Sequence, residues 1–138
     1  AIKQIEHLVI QLTNQERAKN GLTALRPDWE LSRVARYKSV DMLNKNYFSH
    51  TSPTYGSPFT MIENFGISYR SAAENIARGQ QTPQEVVNAW MNSSGHRKNI
   101  LVIPKAGNTG HKCLLQSECK RALVVKALFN MKLSSDCD

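Results

Sequence analysis

The sequence predicts one domain rich in helix, with four helical segments within residues 1–95 and, from Leu101 on, apolar runs that suit strands or a further helix. Three observations lead there. The chain has 138 residues, enough for a single hydrophobic core and too few for two. Helical spacing and cap signals recur through the first two thirds, and no repeat or low-complexity linker interrupts them. Later, "LVIP" and "RALVVKALFNMKL" are apolar, while "KAGNTGHKCLLQSECK" between them follows neither the helical nor the strand period.

The first helix is expected in "IKQIEHLVIQLTNQERAKNG", where Ile2, Ile5, Leu8, Val9 and Leu12 recur at helical spacing, and it ends near Asn20 and Gly21. After Pro27, Asp28 caps a second helix that turns Leu31, Val34, Ala35, Met42 and Leu43 inward and Arg33, Arg36, Lys38 and Asp41 outward. It stops at about residues 44–46. Ser57 followed by Pro58 starts a short third helix ending at Gly66. "TPQE", Thr82 to Glu85, carries a capping Thr, a Pro at the first helical position and a Glu three residues after the cap. Glu85 is read as that capping acid. Val86, Val87, Trp90 and Met91 form the stripe of this fourth helix, and "SSG" ends it at Gly95. Of the aromatic residues, Phe48, Phe59 and Trp90 are expected in the core, and Tyr55 and Tyr69 on the rim of a cleft.

Eighteen Lys plus Arg against eleven Asp plus Glu give a net charge of +7, which attracts anionic surfaces. The basic residues are scattered among acidic ones with no run of like charge, so they read as a solvated surface and no specific nucleic-acid partner is expected. No apolar stretch approaches the roughly 18 residues needed to cross a bilayer, so no transmembrane segment is expected. The opening at Ala1 has neither the basic region nor the compact apolar region of a signal peptide, and is read as a start from which such a peptide has been removed. Cys113, Cys119 and Cys137 are odd in number and fit no tight zinc spacing.

His50, Glu74 and His96 each fall at a boundary between segments, where loop ends converge over a scaffold. Separations of 24 and 22 residues make no local ligand pair, so spacing alone leaves them weak candidates. Each has a plain structural alternative: a backbone bond that pins the loop for His50, the same with helix capping for His96, and bonds from its own turn for Glu74. His7 and His111 read as surface residues.

"NQERAKNGL", "YFSHTSP", "AENIARG" and "VVNAWMNSSGHRKNIL", in this order, resemble the signature segments of the CAP superfamily, or SCP domain, most closely its bacterial extracellular branch. The likeness runs over about residues 5–101 of a single domain spanning 1–138; the tail 102–138 does not align and reads either as the product of a reading-frame change or as a genuine variant with its own disulfide. The resemblance implies an α+β fold, a three-layer α-β-α sandwich with helices flanking a small, mainly antiparallel sheet. It also implies a secreted or cell-surface protein whose cleft holds His50, Glu74 and His96, with Ser93, Ser94, Tyr55 and Tyr69 about it. Eukaryotic members carry a further Glu three residues after the helix tryptophan; here that position is Ser93, which leaves a His-Glu-His triad. Two imidazoles and a carboxylate suffice for zinc or another divalent cation, with an open position for water. The leading expectation is a binding module for such an ion and a small ligand, lipid or cell-wall component. A metal-assisted hydrolase of peptide or cell-wall bonds and a lipid or sterol carrier are the alternatives.

Overall fold

The structure, a computed structural model, describes residues 4–69 and 71–101 and the backbone of 121–128. In chain order these form α1 (Gln4–Lys19), α2 (Trp29–Asn44), α3 (Pro58–Asn64), β1 (Ser71–Arg78), α4 (Pro83–Met91), α5 (Ser94–Ile100) and β2 (Arg121–Leu128).

Local chemistry sets most of the helix ends. Asp28 accepts a hydrogen bond from the Leu31 amide at 2.8 Å and opens α2. Ser57 accepts from the Thr60 amide at 3.1 Å with Pro58 in the first turn of α3. Thr82 accepts from the Glu85 amide at 3.2 Å, and Glu85 reaches back to the Gln81 amide at 2.8 Å, one residue further than in the standard reciprocal cap. The chain leaves α1 through Gly21 and α3 through Gly66, at φ 70° and 80°, backbone geometry that a side chain disfavours.

The layers follow from two cores, one on each face of β1. Leu31, Val34 and Ala35 of α2 pack with Met61 and Ile62 of α3 and with Ile67, and Ala72 of β1 leans on this core. Val9 of α1, Val86, Val87 and Trp90 of α4 and Ile100 of α5 form the other, with Ala77 of β1 inside it. Side chains alternate along a strand, so residues 72 and 77 point to opposite faces and β1 is the middle layer of an α-β-α arrangement. Trp90 is 1 % exposed and its indole N–H donates to the Ile76 carbonyl at 3.1 Å, which ties α4 to the strand.

β1 and β2 pair in parallel, Ser71 opposite Arg121 and Glu74 opposite Val124. A parallel pair requires a crossover, and α4 and α5 lie on it. The α-β-α class agrees with expectation; the described pair itself is parallel where a mainly antiparallel sheet was expected.

Several expectations are corrected. Lys38 and Asp41 are buried at 1 % and 8 % exposure, although their charge predicts an outward place. Lys38 is in helical phase with Leu31, Val34 and Met42, and phase outranked charge because Lys38 has partners inside. Leu43, one position past Met42 and about 100° around the helix, is exposed, as are Phe48 and Phe59. The fourth helix ends at Met91 rather than Gly95, because Ser93 opens a separate helix, α5. Cys113, Cys119, Cys137 and His111 lie outside the described residues, as does most of the tail.

Candidate functional site

The site is assembled where α2, the loop after it, β1 and α5 meet. Glu74 and Asn75 are neighbours on β1 and therefore face opposite layers. Glu74 turns towards the loop of residues 45–56, where its Oε1 lies 2.9 Å from Nδ1 of His50. Asn75 turns towards α5, where its Nδ2 donates to the His96 carbonyl at 3.1 Å. Asn99 completes the join, donating to the Asn75 side-chain oxygen at 2.9 Å and to the Glu74 carbonyl at 3.3 Å. α5 is thus fixed to Asn75 and, through Asn99, to the backbone of Glu74, whose side chain faces the histidine loop.

His50 is the exposed member, with 56 % of its side chain open, over a Glu74 side chain only 4 % exposed. An ionised carboxylate only accepts, so the proton of the neutral His50 ring sits on Nδ1 and the lone pair on Nε2. Beneath them the Lys38 ammonium lies 3.7 Å from Glu74 Oε1 and donates to the His50 carbonyl. A lysine buried to this depth persists because it balances the buried carboxylate. Burial pulls the Lys38 pKa down and outweighs the Glu74 charge, which raises it.

His96 sits in the first turn of α5, and its Nδ1 makes a hydrogen bond of 3.0 Å with Ser93 Oγ. Ser93 makes no capping bond to an amide of α5; its hydroxyl serves the imidazole instead. Burial, and then the charge of His50, hold the His96 pKa below its ordinary value. Trp90 flanks His96 with ring centroids 6.4 Å apart.

The loop that carries His50 is held on Asp41. Ser52 Oγ donates to Oδ2 at 2.6 Å, Thr54 Oγ1 to Oδ1 at 2.7 Å, and the Tyr47 hydroxyl to Oδ2 at 2.5 Å. Burial pushes the Asp41 carboxyl up, but these three bonds and the Lys45 charge outweigh it and hold the group at about 2 rather than 3.8. Burial and the bond to Asp41 push the Tyr47 phenol up to about 12.

Of the residues expected in a cleft, His50 pairs with Glu74 and His96 with Ser93. Ser94 opens α5 and is exposed. Tyr55 packs on the α2–α3 core with its ring 5.9 Å from that of Phe65. Tyr69 bonds to Glu63 at 3.2 Å and, with Gly66, Ile67 and Ser68, lines a shallow groove beside α3. The described hydrogen bonds and ring contacts join neither tyrosine to His50, Glu74 or His96.

The fit to a metal ion follows from the same bonds. Among the described residues no three His, Cys, Asp or Glu side chains are arranged as a metal-holding group. Glu74 Oε1 is committed to Nδ1 of His50 and faces Lys38. Both imidazoles have Nδ1 engaged, and among the described residues neither Nε2 makes a hydrogen bond. Those two Nε2 nitrogens, with Glu74 behind the first, would be the donors open to a divalent cation.

Sequence reasoning missed Lys38, Asp41, Asn75 and Asn99. The signal for Lys38 was its phase on α2, and for Asn75 and Asn99 their presence within the quoted motifs.

A family model described as the cysteine-rich secretory protein family, CAP, matches residues 10–102. The uncharacterized protein YkwD of Bacillus subtilis is 62 % identical over 101 residues, covering 73 % of this chain and 39 % of that one. The uncharacterized membrane protein YlbC of the same bacterium is 41 % identical over 96 residues, 70 % of this chain and 28 % of that one. Among solved structures, an extracellular protein containing an SCP domain from Bacillus anthracis, determined at 1.5 Å, superposes with a TM-score of 0.67 at 37 % identity, covering 69 % of this chain and 32 % of that one. The chain therefore spans well under half the length of these relatives. The match over most of α1 to α5, which includes every side chain described at the site, assigns the chain to the CAP family of cysteine-rich secretory proteins.

Proposed function

We propose that the chain is a secreted or cell-surface binding module in which the Nε2 atoms of His50 and His96 take a divalent cation, zinc by preference. In this reading the ion presents an open coordination position to a small ligand, lipid or cell-wall component, and Glu74 acts from behind His50. The observation that carries it is the 2.9 Å contact between Glu74 Oε1 and His50 Nδ1. A carboxylate on the far nitrogen fixes the tautomer, directs the lone pair outward and raises the basicity of the ligand, as it does in carboxylate–histidine–zinc arrangements. Ser93 at 3.0 Å gives His96 a similar, weaker partner. Extracellular placement is supported by the likeness to the extracellular SCP-domain protein of Bacillus anthracis.

Calorimetric titration with zinc chloride tests the reading. The wild-type chain is expected to give one saturable site, His50→Ala and His96→Ala to lose it, and Glu74→Gln to weaken it by about 10- to 100-fold. Equal heats from the wild type and His50→Ala would remove the proposal.

A further inference from the structure

We propose that Asp41 is the positioning residue of the cleft: its carboxylate draws three hydroxyls from the loop of residues 45–56 onto α2 and so aims His50 at Glu74. The argument starts from the path of the chain. The loop leaves α2 through Asn46, at φ 51°, and turns back at Ser52, whose amide and carbonyl pair with Gly56 at 2.8 and 3.0 Å. Tyr47, Ser52 and Thr54 then flank His50 on both sides and converge on one carboxylate.

Three O–H donors need an acceptor-only group with two oxygens, and an ionised Asp supplies it. Asn at this position would offer one oxygen and point an N–H₂ at a hydroxyl. Ser52, 3 % exposed, is fully used: it donates to Asp41 and accepts from the Thr54 and Tyr55 amides, each at 3.0 Å. One turn earlier on α2, Lys38 holds the His50 carbonyl. His50 thus stands between two anchors on one helix face, while its own ring has the single bond to Glu74 among the described residues. A ring on a surface loop gains a fixed direction only if the loop is fixed, and Asp41 holds more of this loop's side chains than any other residue described.

The inference rests on the proposed cation site for its affinity readout, and a second readout stands without it. Long-range ¹H–¹⁵N correlation of the neutral His50 ring reports its tautomer directly. The wild type is expected to show Nδ1–H alone. Asp41→Ala is expected to show mixed tautomers and a zinc affinity lower by about 10- to 100-fold, and Thr54→Val a smaller change of the same kind. Val9→Ala, in the other core, lowers the melting temperature without either change. If Asp41→Ala does not fold, Ser52→Ala and Thr54→Val decide by the same spectra. An unaltered His50 tautomer in variants that melt earlier would overturn the positioning role. A wild type that shows Nδ1–H alone and takes up no zinc would sink the cation site and leave the positioning role standing.

Discussion

Replacing Arg17 by Met tests how the far end of the site scaffold is held. Arg17 is 1 % exposed on α1, and its guanidinium donates from Nη1 to the Ile100 carbonyl at 2.7 Å and from Nε to the Thr23 carbonyl at 2.9 Å. The first bond spans 83 residues and closes the C-terminal end of α5 onto α1, where a cation also suits the helix dipole. Met keeps much of the apolar stem and removes both bonds. Hydrogen bonds from a charged donor contribute about 1.5–3 kcal/mol each, so the gross loss is about 3–6 kcal/mol. Removing a buried cation returns part of its desolvation cost, which leaves a net destabilisation of about 2–3 kcal/mol. For a chain of this size that is a fall of roughly 6–12 °C in melting temperature, read by circular dichroism or calorimetry. An unchanged or higher midpoint would show that the guanidinium is held at no net gain, and that apolar packing alone fastens α5.

Three further outcomes follow from local features. The Asp41 carboxyl, held at about 2 against an ordinary 3.8, contributes stability that is complete above its unfolded value and is lost as the pH falls from about 4 towards 2. Acid titration should show this limb in the wild type and not in Asp41→Asn; an identical acid limb in both would contradict the assignment. Thr82→Ala removes the cap of α4 and is expected to reduce stability by about 0.5–2 kcal/mol in urea unfolding, with little change in slope. Gly66→Ala places a side chain at φ 80° and is expected to lose about 1–2 kcal/mol, although the space around it is open.

The helix starts at Asp28, Ser57 and Thr82 and the α1 and α3 exits at Gly21 and Gly66 were legible because each depends on atoms within four residues. The ordered motifs carried the family, and with it the candidate trio. β1 was not legible as a strand: Glu74, Asn75, Ile76 and Ala77 are all buried, so the alternation that marks a half-exposed strand is absent. α5 was missed because "SSG" reads as a stop, while Ser93 in fact begins a new helix.

What the sequence determined by itself was the set of local starts and stops and the identity of the residues that could meet. Only the tertiary structure decided that Lys38 and Asp41 turn inward, that Glu74 stands behind His50 rather than beside it, and that Arg17 reaches Ile100. The physical reason is the same in each case. Burying a charge is unfavourable until a partner from a distant segment arrives, and no local pattern records where that partner will be.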